Sequence, residues 1–454
     1  MPREIRFNAF DMNCVGHIQQ GLWTHPRDQS VRHGELQYWV EYAKRLEAGL
    51  FDGIFFADVV GVYDVYGGNA DAALRSAAQV PVNDPTLLIP AMAAVTRHLG
   101  FGVTSNLIYE QPFLFARRMS TLDHLTGGRI GWNIVTGYLD SAARAIGIEG
   151  QIAHDDRYDL ADEYMSLVYK LWEGSWDDDA VLADRQRGIY ADPGKVRVIH
   201  HAGPQYKVDA MHLCAPSPQR TPVLYQAGAS ARGRKFAATH AECVFVNGQK
   251  KEGIKEIVGD IRNQAVQLGR RADDVKVFMG ATLIVGRTEA QAREKFEEYR
   301  QYVSTEGALA HAAASLGIDF AKYDIDEPID TGKSQAIVSN VEAMTRASGP
   351  QWTRRKLLEQ MVLGSRQAPW VGSADQIASQ LVEWSDETGV DGFNLSRTVV
   401  PECFDDVIEL LIPRLQERGV YKTAYQEGCY RQKLFGQARL PSSHPAAGYR
   451  GKNA

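Results

Sequence analysis

No run of apolar residues in this sequence approaches the ~20 needed to span a bilayer. The opening residues MPREIRFNAFDMNC carry charge but no apolar core of the kind a secretory leader needs. Cysteine is scarce: Cys14, Cys214, Cys243, Cys403 and Cys429 are odd in number and show no CxxC spacing. That pattern argues against a disulfide framework and against a zinc site, and fits a reducing cytoplasm. Charge of one sign is nowhere blocked. The formal net charge of −6 is spread over 454 residues, which leaves no basic footprint for a nucleic-acid backbone. Also missing are a G-x-S-x-G elbow and a G-x-G-x-x-G turn after the first strand, the marks of serine hydrolases and of dinucleotide-binding sheets. The expectation is a cytoplasmic enzyme with no membrane or nucleic-acid partner and no metal.

What is present is a regular alternation. Hydrophobic residues make up 44% of the chain and charged residues 23%, enough apolar material for a large core. Eight short runs rich in β-branched and aromatic residues read as strands: 5–10, 53–59, 101–108, 129–136, 222–228, 242–247, 275–286 and 392–396. Between them lie stretches with helical periodicity that end in glycine, such as LQYWVEYAKRLEAGL and PFLFARRMSTLDHLTGG. Strand–helix alternation predicts a parallel α/β sheet, and eight units favour a closed (β/α)8 TIM barrel over an open doubly wound sheet. Residues 137–221 and 305–375 are too long for simple connections and read as insertions after strands four and seven. Insertions after strands fall on the carboxyl-terminal face, where barrel active sites form. The domain reading is one barrel over 1–420. A Pro-, Gly- and Ser-rich tail over 421–454 is expected to run over the surface or onto a neighbouring subunit.

Several polar residues fall where strands should emerge. Asp58 follows the apolar run IFFA, Thr104 and Ser105 end the third run, and Asn133 and Thr136 end the fourth. The functional reading gives them to a ligand at the rim; the plainer reading makes Asp58 a helix cap and the others partners of neighbouring backbone. His154 and Tyr158 are four apart at the start of a patterned helix, so they share a face and could grip one ligand together with Arg157; a capped surface helix is the alternative. In QAGASARGRKFA a strand ends at Gly228, and Ser230, Arg232 and Gly233 open a helix. Free N–H groups, a hydroxyl and a guanidinium could there converge on a phosphate, or Ser230 could simply cap the helix. Cys14 and His17 lie beyond the first strand, Tyr63 and Tyr66 beyond the second. Cys14 has no flanking base to lower its pKa, which argues against a nucleophilic thiol. His17 could position an oxygen atom or be a structural histidine.

The stretches FNAFDMNCVGH, FDGIFFADVVGVYDVYGG, VPVNDP, FARRMSTLDHLTGGRIGWNIVTGYLDSAARAIG, AHDDRYDLADEYMSLVYKLWEGSWDDDA, PSPQRTPVLYQAGASARGRKFAA and DGFNLS extend over nearly the whole chain. Together they resemble the bacterial luciferase-like flavin monooxygenases, in the subgroup of the nitrilotriacetate, EDTA and dibenzothiophene-sulfone enzymes. VGVYDVYGG, VPVNDP and SSHPAAGYR are most similar to enzymes that cleave a C–S bond in dimethyl sulfide or in S-(2-succino)cysteine derivatives.

That resemblance implies reduced FMN delivered by a separate NAD(P)H:flavin reductase, O2 as co-substrate, and transfer of oxygen to sulfur or to the carbon beside it. It implies a homodimer or homotetramer, with the two insertions as lids. It places Asp58, Thr104, His154, Tyr158 and Ser230 at the flavin, the last two at its phosphate, with Asn133 a further flavin contact. Cys14 and Tyr63 would line the substrate pocket, and His17 would handle oxygen. Left open are cleavage of a C–N bond in an aminopolycarboxylate, a deazaflavin-dependent dehydrogenase on the same barrel, and a flavin carrier without turnover.

Overall fold

A computed structural model describes residues 3–228, 230–329, 352–365 and 368–451. Eight strands pair side by side, all parallel: β1 (Arg6–Met12), β2 (Gly53–Ala57), β3 (Gly100–Asn106), β4 (Ile130–Val135), β5 (Val223–Ala227), β6 (Cys243–Val246), β7 (Lys276–Gly286) and β8 (Gly392–Ser396). The ladder runs in chain order and closes when β8 pairs with β1, from Arg6 opposite Gly392 to Phe10 opposite Ser396. Closure leaves no open edge, and the strands are buried on both faces. That burial is why they read as near-continuous apolar runs rather than as alternating ones. All eight expected strands are found, with ends shifted by a residue or two.

The interior is aromatic. Phe10, Phe55 and Phe245 meet edge to face with centroids 5.0–5.6 Å apart, and Tyr225 packs on Phe55 at 5.4 Å. Helices ring the outside; Leu36–Ala48, for example, buries Trp39, Tyr42 and Leu46.

Two parts depart from the expected layout. The segment Trp370–Ser373, inside the second long interval, is a further strand. It pairs in parallel with Leu283–Gly286, the outer part of the 11-residue β7 that projects past the barrel. A four-residue strand next to a capped helix has too little periodicity to stand out in sequence. The second departure is the tail, which turns back under the barrel instead of crossing the surface. Tyr430 enters the floor, where a Cβ on Gly100 would lie 2.4 Å from its ring and one on Gly53 2.7 Å from its hydroxyl. Gly53 and Gly100 are register partners in β2 and β3, so one pair of missing side chains makes the socket. Arg431, fully buried, grips Glu242 at 2.7 and 2.9 Å and donates to the carbonyls of Thr221 and Pro222. Further on, His444 meets the His240 carbonyl at 2.9 Å and Arg450 pairs with Glu173 at 2.6 Å.

The tail therefore contributes to the stability of the barrel itself. Truncating Tyr430 to Ala should cost about 3–5 kcal/mol, as for other buried aromatic rings. Tyr430→Phe, which loses the hydroxyl contacts with Tyr225 and with Asn8 Oδ1 at 3.4 Å, should cost about 1–2 kcal/mol. Urea unfolding of the two variants checks this; equal midpoints for wild type and Tyr430→Ala would remove the tail from the core.

Candidate active site at the carboxyl-terminal rim

The site begins where β5 ends. Beyond Gly228 the helix Ala231–His240 opens, capped by Ser230, whose Oγ accepts the Gly233 N–H at 3.1 Å. The capping alternative is thus realised, and more besides. The hydroxyl of Tyr158, from the helix His154–Tyr169, points at the same turn. A Cβ on Gly233 would lie 2.9 Å from that hydroxyl and 3.0 Å from Ser230 Oγ, and one on Gly228 would lie 3.2 Å from the Tyr158 hydroxyl. Two hydroxyls and two glycine backbones therefore surround a small volume at a helix N-terminus, where N–H groups and the helix dipole favour an anion. Burial raises the Tyr158 hydroxyl pKa, so it remains a donor at neutral pH. His154, one turn earlier, packs edge-on against Tyr158 with centroids 5.2 Å apart.

Arg232 does not join this cradle. Its guanidinium turns to Asp159 and Asp162 at 3.0 and 2.7 Å and lies 5.3 Å from the Tyr158 ring centroid. The acidic face of the neighbouring helix attracts it away, which local spacing could not reveal.

An arc of polar groups continues along β4, β3 and β2. Thr104 and Asn133 are register partners. Asn133 Nδ2 donates to Thr104 Oγ1 at 2.8 Å, and Thr104 donates to the Phe56 carbonyl at 2.7 Å. Asn133 Oδ1 and Gln226 Oε1 are buried with no hydrogen-bond partner. Such acceptors are costly unless something else meets them. Asp58, past the end of β2, accepts its neighbour Val59's N–H at 2.9 Å. Burial pushes its carboxyl up to about 7, with Asp84 and Glu110 adding to the effect.

A second group forms around the segment after β1. Arg397, just past β8, pairs with buried Asp11 at 2.8 Å and donates to the carbonyls of Cys14 and Val15 at 2.9 and 2.8 Å. This pair fixes the segment bearing Cys14 and His17. Burial pushes the Cys14 thiol up to about 12, and it donates to the Gly16 carbonyl, so no thiolate forms there. His17 is 3% exposed, with Nδ1 lacking a partner. Burial, reinforced by Arg397 and His311, holds it well below its ordinary pKa, so it is neutral. The Tyr63 hydroxyl donates to the Gln79 side chain and meets the Tyr138 hydroxyl at 2.9 Å, while its ring stacks on His311 at 5.6 Å. Gln79 in turn donates to the His17 carbonyl at 3.2 Å.

The predicted residues thus fall into two adjoining groups. Asp58, Thr104, Asn133, His154, Tyr158 and Ser230 span β2 to β5; Cys14, His17 and Tyr63 lie beside β1. The sequence reading missed Gln79, Tyr138, His311 and Arg397. Tyr138 and Arg397 follow strand ends and were within reach of the rim rule. His311 sits in the alanine-rich helix Thr305–Leu316, where no local pattern marks it.

Residues 13–392 match the family model described as luciferase-like monooxygenase. The chain belongs to that family. Members of the luciferase-like monooxygenases depend on reduced flavin. This monooxygenase is 49% identical over 453 residues to the dimethyl-sulfide monooxygenase of Hyphomicrobium sulfonivorans, covering 99% of this chain and 94% of that one. It is 50% identical over 452 residues to the long-chain alkane monooxygenase of Geobacillus thermodenitrificans strain NG80-2, covering 99% of both. The crystal structure of a riboflavin lyase with modified FMN and riboflavin superposes with a TM-score of 0.93 at 38% identity, covering 99% of this chain and 100% of that one. Among the described residues no helix is long and apolar enough to cross a membrane.

The buried Asp58 carboxyl makes the fold of this monooxygenase pH-sensitive. Between about pH 4 and 7 the folded chain keeps a proton that the unfolded chain releases. Its contribution therefore makes stability fall as pH rises through that window. Asp58→Asn should flatten that decline, measured by urea unfolding at both ends of it. An unchanged pH slope would contradict the assignment.

Proposed function

We propose that this monooxygenase binds reduced FMN with its phosphate in the Ser230–Tyr158 cradle and oxygenates a small, uncharged organosulfur compound beside His17 and Tyr63. The cradle carries the reading: the two glycines let the turn come so close to the Tyr158 and Ser230 hydroxyls that any side chain would clash, at a helix N-terminus furnished with hydroxyl donors. The buried acceptors Asn133 Oδ1 and Gln226 Oε1 fit a ligand that brings N–H or O–H donors, as the ring and ribityl chain of FMN do. Thr104 orients Asn133 for that purpose, His154 flanks Tyr158, and Asp58 borders the same arc. Bound there, reduced FMN supplies the electrons that activate O2.

The chain's own groups select and shield the substrate. Tyr63, Tyr138 and His311 make a largely apolar wall that keeps water out, with Cys14 as a small neutral neighbour. Neutral His17 can accept or return a proton at Nδ1. Arg397 is taken up by Asp11, and Arg157 is buried close to Tyr109 and Tyr158. The 49% identical relative named for dimethyl sulfide favours that substrate over a succinocysteine derivative, whose named relative is 31% identical. Oxidation of an alkane is the second reading, favoured by the 50% identical relative. Supply of FMN by a separate flavin reductase is part of the proposal, in keeping with a 33% identical relative named component A of nitrilotriacetate monooxygenase. So is assembly as a homodimer or homotetramer.

The test is anaerobic titration with reduced FMN, then an oxygen pulse with dimethyl sulfide, N-acetyl-S-(2-succino)cysteine or a long-chain alkane, and product analysis by mass spectrometry. Oxygen-dependent product from dimethyl sulfide is expected. Product from the alkane alone would transfer the assignment to the second reading, and none from any would overturn the substrate class. Ser230→Ala should weaken reduced FMN binding by about 10- to 100-fold, the worth of one hydrogen bond to a charged group. Unchanged affinity would displace the phosphate from this cradle.

A further inference from the structure

At the end of the barrel opposite the rim, a cavity of about 250 Å³ lies between the amino-terminal ends of β1 and β2 and the returning tail. Its walls include Glu4, Arg6, Asp52, Lys422, Tyr425 and Lys433. Only part of this charge is internally matched. Lys422 Nζ pairs with Asp52 at 2.7 Å, and the same carboxylate oxygen accepts the Phe7 N–H at 3.0 Å.

The other two cations are poorly met. Arg6 reaches Glu4 only at 3.5 Å, to its carboxylate and to its carbonyl, and Arg6 Nε is buried without a partner. Lys433 donates to the His98 carbonyl at 3.1 Å and contacts His98 Nδ1 at the same distance; it forms no ion pair among the described residues. Behind it Arg129 is buried and donates to neutral oxygens alone, those of Ala93, Thr96, Leu99 and Thr126 at 2.8–3.1 Å. The effect on titration agrees with this geometry. Burial, then Arg129, lowers Lys433 to about 8, and burial with help from Arg6 lowers neighbouring Lys276.

We propose that this cavity binds a small, multiply charged oxyanion, of the class of phosphate or a short dicarboxylate, between Arg6 and Lys433. A guanidinium fork and an ammonium lining one cavity suit an ion with several acceptor oxygens. The volume admits such an ion with water, at roughly 30 Å³ for each water. The anion would join the start of β1 to the tail helix Tyr430–Phe435 and stabilise the folded chain by mass action. The site is separate from the rim cradle and does not depend on the flavin reading.

Thermal unfolding with sodium phosphate or sodium malonate, at ionic strength matched with sodium chloride, tests this. The wild type should show a saturable rise in Tm, and Arg6→Met and Lys433→Met should lose most of it. Ser230→Ala, which disables the rim cradle, should keep it. A rise with phosphate alone, kept in Ser230→Ala, supports the site and narrows the ligand. No saturable rise, or one kept in both floor variants, or one abolished by Ser230→Ala, overturns it. Should either floor variant not fold, acetic anhydride labelling of the wild type decides. Saturating phosphate or malonate should slow modification of Lys433 several-fold relative to Lys residues elsewhere, and an unchanged ratio for both anions overturns the site.

Discussion

The buried ion pair between Arg397 and Asp11 stands at the seam where the barrel closes. Arg397 follows β8 and Asp11 lies in β1, so the pair ties first strand to last just beyond the register that joins them. Two charges with almost no access to water persist only if they are closely paired. Asp11 Oδ1 takes the guanidinium and the Met12 N–H, and Arg397 Nη2 donates to the carbonyls of Cys14 and Val15. The position of His17 follows from that. Burial keeps the imidazole neutral and the charge of Arg397 reinforces it, so the same interaction that places the ring also supports its protonation state.

The two ends of the barrel both depend on missing side chains. At the floor, Gly53 and Gly100 make room for Tyr430. At the rim, Gly228 and Gly233 let the turn approach the Gln226 amide and the Tyr158 and Ser230 hydroxyls. The buried acceptors at the rim and the weakly met cations at the floor mark places where protein groups alone do not complete the polar matching. Arg431, by contrast, is held by Glu242.

Much of the fold was legible because a strand buried on both faces leaves a compact apolar signature, repeated eight times. The rim residues Asp58, Thr104, Asn133 and Ser230 were legible for a related reason: each is the first polar interruption after such a run. Tyr158 was legible through its helical spacing from His154. Arg232 was misplaced because its partners, Asp159 and Asp162, are some 70 residues away in sequence. Tyr430 and Arg431 looked like part of a surface tail because the glycine pair and the carboxylate that receive them lie far upstream.

By itself the sequence determined the number of barrel strands, their parallel order and which strand ends carry polar side chains, since local periodicity and chain order control all three. Tertiary structure alone decided which of those groups face one another. It brought Gln79, Tyr63, Tyr138 and His311 together, turned Arg232 outward, buried Arg397 at the seam and folded the tail into the floor. Each of these rests on pairing between residues distant in the chain, where burial removes competing water and the only available partners are those that the closed barrel brings within reach.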